Sequence, residues 1–313
     1  MKNSSTGPQR PSSQADAKPA AGTTMTRRRF LKHGAAAVLG AGLAVGAYAS
    51  LWEPNRLEVR RLTLALNGLP AAFNGLKVVQ FSDMHLGFYA GAKAAVRVVE
   101  AINREKPDLI CFTGDMVDGE VDALEEAILP LSGLEAAFGK YSILGNHDFY
   151  DIEKLIRMEE KAGFTVLRNS HAKLRRGGEQ IAVVGLDDGI WGHPDPASAL
   201  EGLPEGMIKI VLMHEPDYGD TTAEYPVHLQ LSGHSHGGQV RLPWLGEVVT
   251  PPGAKRYVQG LYHVGSRGMP LYVNRGIGMT QLPIRLLCQP ELTVLTLRGE
   301  TCDRESLGAK SPS

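Results

Sequence analysis

Short apolar runs alternate with amphipathic stretches along most of the chain after residue 57. Six of these runs have the length of strands, and each ends abruptly in polar residues. In chain order they are LKVVQFSD, PDLICFTGD, KYSILGNHD, IAVVGLDD, IKIVLMHEP and VHLQLSGHSH. Because the runs are nearly continuously apolar, they predict strands that are covered on both faces.

Amphipathic helices are predicted between the strands. GAKAAVRVVEAINREK and VDALEEAILPLSGLEAAF separate the first three runs, and DIEKLIRMEEKAGF follows the third. Their apolar residues recur at three- and four-residue steps, which is the period of a helix with one buried face. This alternation predicts a layered α/β fold.

The last third of the chain has a different pattern. QVRLP, PLYVNRGIG and ELTVLTLRG are strand-like segments punctuated by Pro and Gly, with no long helix among them. We therefore expect partly antiparallel strands in this region. The whole pattern predicts two packed mixed β-sheets flanked by helices in one domain over residues 57–298, followed by a loose tail at 299–313.

Polar residues that could bind a metal ion or take part in catalysis collect where the predicted strands end. The motifs are DMH at 83–85, GDMVD at 114–118, GNHD at 145–148, a single His214, and GHSH at 233–236. In α/β sheets ligands bind beyond the carboxyl ends of the strands, so five strand ends can converge on one site.

The His-x-His pair at 234 and 236 has two interpretations when taken alone. If extended geometry continues past the strand, both imidazoles point the same way, and the neighbouring glycines let the backbone approach a bound ion. Imidazole is a common ligand of zinc, iron and manganese. The alternative is a polar turn, and this short motif does not decide between them.

Composition narrows the function classes. The chain has 313 residues, of which 43% are hydrophobic, so it can bury a sizeable core. A formal net charge of −1 gives no electrostatic case for a nucleic-acid partner, and an anionic substrate must be held by local charge. Cys111, Cys288 and Cys302 are too few and too scattered for a disulfide framework.

The N-terminal segment predicts export. Residues 1–25 are expected to be disordered because they are rich in Ser, Pro, Ala and Gln. TRRRFLK at 26–32 resembles a twin-arginine export signal, and a Gly/Ala-rich apolar stretch and an Ala-Tyr-Ala site at 47–49 follow it. Residues 26–50 are thus interpreted as a signal for the twin-arginine export machinery. They place the protein in the periplasm or on the outer face of the cytoplasmic membrane, with an uncleaved anchor over 34–51 as the alternative.

The five strand-end motifs, in this order, resemble the calcineurin-like metallophosphoesterase family. The motifs span residues 76–238. The resemblance implies a dinuclear metal site with Asp115 as the bridging carboxylate, one oxygen to each ion. It assigns Asp83, His85 and His236 to one divalent metal ion, and Asn146, His214 and His234 to the second.

The chemistry implied is hydrolysis of a phosphoester. Mixed oxygen and nitrogen ligands suit Mn, Zn or Fe better than Ca or Mg, and the sequence does not choose among the three. Two cations stabilise charge on the attacking and leaving oxygens, and a bridging water or hydroxide supplies the nucleophile. The resemblance leaves His147 free of metal, so we expect it to assist the leaving group, with Asp118 orienting its imidazole.

Within the family, the chain resembles an exported, membrane- or wall-associated phosphodiesterase branch. The resemblance rests on the leader, which continues almost directly into EPNRLEVRRLTLAL, and on FNGLKVVQFSDMHLG, SGHSHGGQVRLP, LYVNRGIG and LPIRLLCQPELTVLTL. This predicts an envelope, cell-wall or lipid-linked phosphodiester as substrate. One alternative is a lipid pyrophosphatase that cleaves a UDP-diacylglucosamine precursor, although a nucleotide-linked precursor fits poorly with export. A phosphomonoesterase using the same site is another. A non-catalytic envelope metal-binding protein ranks lowest, because no motif residue is missing.

Several other polar residues have weaker assignments. Arg241, Arg275 and Arg285 lie near glycines or prolines in the late segments, and we consider them for binding a substrate phosphate. Asp148, Asp187 and Asp188 are expected to tie down or cap loops. Four histidines match no motif and are taken as structural: His171, His193, His228 and His263.

Overall fold

The computed structural model describes residues 25–299. The predictions for residues 1–24 and for 300–313 therefore lie outside the described residues. Its contacts divide the chain into a unit that ends at Val45 and a second unit that begins at Gly46. Helix α1 (Arg27–Ala47) accounts for the described part of the first unit.

Helix α1 begins the one described helical run that is long and apolar enough to cross a membrane. That run covers Arg27–Asn55 and contains an 18-residue window with a mean hydropathy of 1.6. It includes a short π-helix (Tyr48–Trp52) and a 3-10 turn (Glu53–Asn55). By length and composition the run fits a signal sequence or a membrane anchor.

The first sheet of the second unit has six strands in the order β1-β14-β2-β3-β4-β5. Their bounds are β1 (Glu58–Leu66), β2 (Lys77–Phe81), β3 (Leu109–Thr113), β4 (Lys140–Ile143), β5 (Phe164–Val166) and β14 (Glu291–Gly299). Strand β14 runs antiparallel to β2 and parallel to β1, so the sheet is mixed. Strands β2 to β5 are parallel, which brings their carboxyl ends to one edge.

The second six-stranded sheet has the order β12-β13-β9-β8-β7-β6. Its strands are β6 (Ser170–Arg176), β7 (Glu179–Gly185), β8 (Lys209–Leu212), β9 (Leu229–Ser232), β12 (Gly260–Val264) and β13 (Met269–Val273). Strands β7, β8 and β9 are parallel, whereas the outer pairs β6-β7 and β12-β13 are antiparallel. Strands β10 (Arg241–Leu242) and β11 (Gly246–Glu247) form a separate two-stranded hairpin.

Helices cover the outer faces of the sheets. Alongside the first sheet lie α2 (Ala92–Glu105), α3 (Glu125–Ser132) and α4 (Ile152–Lys161), and the shorter α5 (Pro196–Leu200) and α6 (Gly219–Thr222) accompany the second. The predicted helix at 121–138 is shorter than its period suggests. It ends at Ser132, two residues after Pro130, with Gly133 at its C-cap.

The core lies in layers that follow the alternation of side chains along the strands. In β2, Val78 packs in the cluster between the sheets, while Val79 packs with the helices on the outer face. Strand β8 does the same, with Ile210 between the sheets and Val211 on the outer side. Two mixed sheets flanked by helices are thus confirmed, and Cys111 is a buried strand residue as predicted.

Candidate metal centre

The predicted site residues lie in loops that begin at the carboxyl ends of β2, β3, β4, β8 and β9. Five of them have positive φ angles, a region that non-glycine residues rarely adopt: Asp83 (54°), His85 (45°), Asp115 (59°), His234 (65°) and His236 (49°). Each such conformation costs about 1–3 kcal/mol and persists only where the surroundings impose it. Their concentration here marks a functional site.

Two glycines allow the loops to approach one another. A side chain at Gly145 would bring its Cβ within 2.3 Å of Asp115 Oδ1 and 2.7 Å of His214 Cε1. At Gly233 it would lie 2.5 Å from Asp83 Oδ2. The glycines of the GNHD and GHSH motifs are therefore needed for close packing of the site.

Asp83, His85 and His236 form one buried group whose potential ligand atoms all lie within 4.8 Å of one another. The Nε2 atoms of His85 and His236 are 3.0 Å apart, and Asp83 Oδ1 is 3.4 Å from His236 Nε2. Burial lowers the pKa of His85 to about 4 and that of His236 well below its ordinary value. Both rings are therefore neutral and able to offer a lone pair.

Asp115, His214 and His234 form a second buried group of the same kind. His214 Nδ1 lies 2.7 Å from the Thr113 carbonyl, and His234 Nε2 lies 2.7 Å from the Pro252 carbonyl. A carbonyl oxygen accepts a hydrogen bond, so these contacts place the proton on those atoms and leave a lone pair on His214 Nε2 and on His234 Nδ1 for a metal ion.

Asp115 lies between the two groups. Its Oδ2 atom is 3.5 Å from His85 Nε2 and 3.2 Å from His214 Nε2, while Oδ1 accepts a hydrogen bond from the His147 backbone N–H. Asp115 therefore lies within reach of histidines from both groups. Its expected role as a bridging carboxylate, with one oxygen to each ion, stays a prediction.

Asn146 lies beside the second group. Its Oδ1 atom is buried without a hydrogen-bond partner among the described residues, and so are His85 Nδ1, His214 Nε2 and His236 Nδ1. Buried polar atoms are normally paired. Unpaired ring nitrogens and an unpaired amide oxygen around two buried carboxylates fit the binding of divalent cations.

His147 and Asp118 form a pair at the edge of the groups. His147 Nδ1 lies 2.7 Å from Asp118 Oδ1, and the imidazole is partly exposed. Burial lowers the pKa of His147, but the hydrogen bond to Asp118 and the charges of Asp115 and Asp118 outweigh it and raise the pKa to about 9. The ring is thus oriented and able to carry a proton.

Asp148 ties two loops together, as expected. Its buried carboxylate accepts hydrogen bonds from the backbone N–H groups of Gly145, Asp115, Met116 and Val117. It therefore holds the GDMVD loop against the GNHD loop.

A buried acidic pair beside His214 was missed by the sequence interpretation. Glu215 lies against Asp188, and burial together with that contact raises the pKa of Glu215 to about 8. Glu215 accepts from the Gly189 N–H, and Asp188 accepts from the N–H groups of Ile190 and Trp191. The pair fixes the 188–192 loop, and Asp188 has the predicted loop-capping role. No sequence motif signals Glu215, because a Glu before Pro is common.

The predicted phosphate-binding role of two arginines requires correction. Arg285 is completely buried, and its guanidinium donates to the carbonyls of Arg275, Gly276, Gly278 and Cys288. Arg275 pairs with Glu58 and Glu291. Both are held by internal partners and support the scaffold.

Arg241 and the remaining histidines are not members of the ligand groups. Arg241 is partly exposed and pairs with Glu247, so its role in substrate binding stays a prediction. His171 Nδ1 contacts the Ala199 carbonyl, and His228 Nδ1 accepts from the Lys209 N–H. None of the four unassigned histidines lines the cavity beside the ligand groups.

This cavity, of about 540 Å³, opens directly onto the ligand groups. Its lining includes the site residues Asp115, Asn146, His147, His234 and His236. It also includes an apolar set, which we call the apolar wall: Ile190, Val240, Val248, Val249, Leu282 and Ile284. A cavity of this size accommodates a small organic ligand. Polar site residues and apolar side chains thus line the same cavity.

A model of the calcineurin-like phosphoesterase family matches residues 76–238. The chain belongs to this family. The match runs from the strand before the DMH motif to the end of the GHSH motif, so it includes every predicted ligand. Family membership implies divalent metal ions and a phosphoester substrate, and it confirms a metallophosphoesterase.

Relatives extend this family assignment to nearly the whole chain. The metallophosphoesterase YkuE of Bacillus subtilis is 43% identical over 88% of this chain and 98% of its own length. The phosphodiesterase YaeI of Escherichia coli is 33% identical over 87% of this chain and 99% of its own. A transmembrane protein with a metallophosphoesterase domain from Danio rerio is 33% identical over 84% of this chain and 62% of its own.

Proposed function

We propose that this metallophosphoesterase hydrolyses phosphodiesters with the help of two divalent cations. The observation that carries the proposal is the position of Asp115 Oδ2 between two buried ligand groups. Asp83, His85 and His236 would hold one cation, and Asn146, His214 and His234 the other, with Asp115 shared. The similarity to the protein named phosphodiesterase YaeI supports diesters as the substrate class.

The donor set suits Mn, Zn or Fe, since it combines imidazole nitrogens with carboxylate and amide oxygens. When bound, two such cations would neutralise charge on the phosphoryl oxygens and lower the pKa of an attacking water. The chain itself supplies a preorganised site, because backbone conformation and hydrogen bonds hold the ligands in place.

His147 has the position for proton transfer to the leaving oxygen. It lines the cavity, and it is not a metal ligand in the proposed scheme. Asp118 fixes the orientation of its ring through a hydrogen bond at Nδ1. The opposite ring nitrogen, Nε2, is therefore the atom that donates. Asp118 acts through His147 as a positioning residue.

We further propose that the protein is exported by the twin-arginine machinery and acts at the outer face of the membrane or in the periplasm. The TRRRFLK segment and the apolar helix that begins at Arg27 support this. The apolar wall of the cavity supports a lipid- or wall-linked diester. Cleavage of a phosphomonoester or of a UDP-linked lipid pyrophosphate by the same residues is the alternative.

A metal-restoration experiment tests the proposal. The full chain in detergent is stripped with chelator, and hydrolysis of bis-p-nitrophenyl phosphate and p-nitrophenyl phosphate is followed as Mn, Zn or Fe is returned. We expect diester cleavage to return with metal and to exceed monoester cleavage. The variant His147→Ala should lose at least about tenfold in rate on a diester with an alcohol leaving group, and less on the p-nitrophenyl esters, while metal content stays at two per chain.

The matched control is His263→Ala, because His263 is exposed on β12 and lies outside the cavity. It should keep full activity. Binding of two metal ions without cleavage of either ester would refute the phosphodiesterase assignment. Faster cleavage of the monoester would favour the phosphomonoesterase alternative.

A further inference from the structure

Three segments far apart in sequence meet beside the mouth of the cavity. They are residues 48–55, 239–252 and 279–288, which we call the apolar rim. The Arg285 N–H donates to the Ala49 carbonyl at 2.9 Å, so the first and third segments are in contact. The Arg241 N–H donates to the Leu286 carbonyl at 2.9 Å, which joins the third to the second.

Large apolar side chains on the rim are exposed. Trp244 and Leu245 form the tip of the β10-β11 hairpin, and Trp244 is fully exposed. On the other two segments the exposed set is Leu51 (73%), Trp52 (63%), Leu282 (59%) and Leu287 (55%). Single exposed apolar residues are ordinary, but a connected set beside a cavity marks an interaction surface.

The rim offers no unpaired charge to a partner. Its charged residues are Glu53, Arg241, Glu247 and Arg285. Arg241 pairs with Glu247. Glu53 is buried and accepts from the N–H groups of Leu287 and Cys288, while Arg285 is buried among carbonyls. The surface therefore consists of aliphatic and aromatic groups with satisfied polar groups beneath them.

Chain continuity indicates the partner. The first rim segment, residues 48–55, is the end of the helical run Arg27–Asn55 that is long and apolar enough to cross a membrane. Tryptophan is enriched at membrane–water interfaces, and two of the exposed rim residues, Trp52 and Trp244, are tryptophans. A charge-free surface with interfacial aromatic residues at the end of such a helix fits a lipid bilayer.

We propose that the apolar rim is a membrane-docking surface that places the cavity against the lipid headgroups. The substrate is then a phosphodiester whose apolar part stays in the bilayer while its phosphate enters between the ligand groups and the apolar wall. Val248, Val249, Leu282 and Ile284 continue the rim into that wall. This inference rests on the proposed phosphodiesterase function and specifies its substrate as lipid-linked.

Vesicles test the rim through two substrates of different solubility. The full chain is reconstituted in phosphatidylcholine–phosphatidylglycerol vesicles that carry phosphatidyl-p-nitrophenol, and bis-p-nitrophenyl phosphate serves as the soluble diester. In the double variant Trp244→Ser, Leu245→Ser, the rate of hydrolysis of the lipid substrate should fall about tenfold or more, because two apolar contacts with the bilayer are lost. The rate on the soluble diester should stay within about twofold of the wild-type rate. Neither side chain lines the cavity, so the chemistry itself is untouched.

The control is Leu129→Ser, which removes an equally exposed leucine from α3, away from the rim segments. It should not change either rate. Equal rates of the double variant and the wild type on the lipid would overturn the docking proposal. Failure of the wild type on the soluble diester would instead count against the phosphodiesterase function.

Fluorescence tests docking without reference to activity. In the variant Trp52→Phe, Trp191→Phe, the remaining tryptophan is Trp244. Brominated phospholipids should quench its emission in vesicles. Acrylamide, a water-soluble quencher, should quench the emission less in the vesicles than in unfolded protein without detergent. Quenching by acrylamide with none by the brominated lipids would show that the hairpin faces water or a protein partner and would overturn the proposal.

Discussion

At the scale of single residues, His147 and Asp118 divide the work of one proton transfer. His147 faces the cavity, and Asp118 holds its Nδ1 at 2.7 Å. A proton donor matters most when the leaving oxygen is a poor leaving group, because a basic alkoxide must be protonated as it departs. Cleavage of p-nitrophenyl esters depends less on this step, since p-nitrophenolate is stable in water.

Asp118→Asn tests the positioning role through this difference. We expect the kcat for a diester with an alcohol leaving group to fall about 10- to 100-fold, with a smaller fall for bis-p-nitrophenyl phosphate and little change in KM. Steady-state kinetics on both substrates, with metal content measured in parallel, separate this from ligand loss. An equal fall on both substrates, or a loss of metal, would indicate that Asp118 supports the metal site instead.

The sequence could predict which residues meet at the site but not how each side chain is used. The motifs predicted that Asp83 and Asp115 meet, because the parallel strands β2 and β3 end at one edge of the first sheet. His214 joins them from β8 of the second sheet. The roles of Arg275 and Arg285 were wrong, since the carbonyls and carboxylates that bind them come from other parts of the folded chain. Proximity to glycines in sequence contains no information about those partners.

At the scale of elements, a strong apolar period predicted helices and strands correctly. A strand without such a period, and the end of a helix inside one, were not predicted. Strand β6 was missed because SHAKLRR contains a single large apolar residue, Leu174, which pairs with Ile181 on β7. Its strand character comes from the neighbouring strand, not from its own composition. Helix α3 was overextended for the opposite reason, as its period continues past the proline and glycine that end it.

Glu159 links helix α4 to strand β4 and should make stability depend on pH. It is buried, accepts a hydrogen bond from Ser142 Oγ, and burial together with the nearby Asp148 charge raises its pKa to about 8. A raised pKa means that the folded state binds a proton that the unfolded state releases. The stabilisation is complete below the ordinary pKa of 4.5 and is lost as pH rises through about 8.

Glu159→Gln removes this titration and keeps the packing. We expect the free energy of unfolding of the variant to gain on the wild type between pH 5 and pH 9, on the order of 3 kcal/mol in total. Urea unfolding at several pH values measures it, with Glu160→Gln, an exposed neighbour on α4, as control. A wild-type pH slope in Glu159→Gln would contradict the assignment.

At the scale of the whole molecule, the packing of residues 48–55 against late segments of the chain is the feature that the sequence could not predict. The two mixed sheets follow from the strand and helix pattern, and the structure confirms them. The apolar rim joins residues 48–55 to segments about 200 residues later in the chain. Such contacts depend on the completed fold, so the Ala-Tyr-Ala site at 47–49 could be interpreted only as a cleavage motif.

The structure predicts that the leader is not cut at the Ala-Tyr-Ala site. Ala49 is buried and its carbonyl accepts from the Arg285 N–H, while the adjoining residues 48–52 are helical. A signal peptidase needs an extended, accessible segment, and here the segment is held by the Glu53 carboxylate, which accepts from the Leu287 and Cys288 N–H groups. Intact mass of the membrane-bound protein should therefore include residues before Ser50.

Glu53→Ala should loosen the segment and yield a shorter, released form. A wild-type protein that begins at Ser50 would show that cleavage precedes this packing, and the apolar rim would then have to bind the bilayer without the helix.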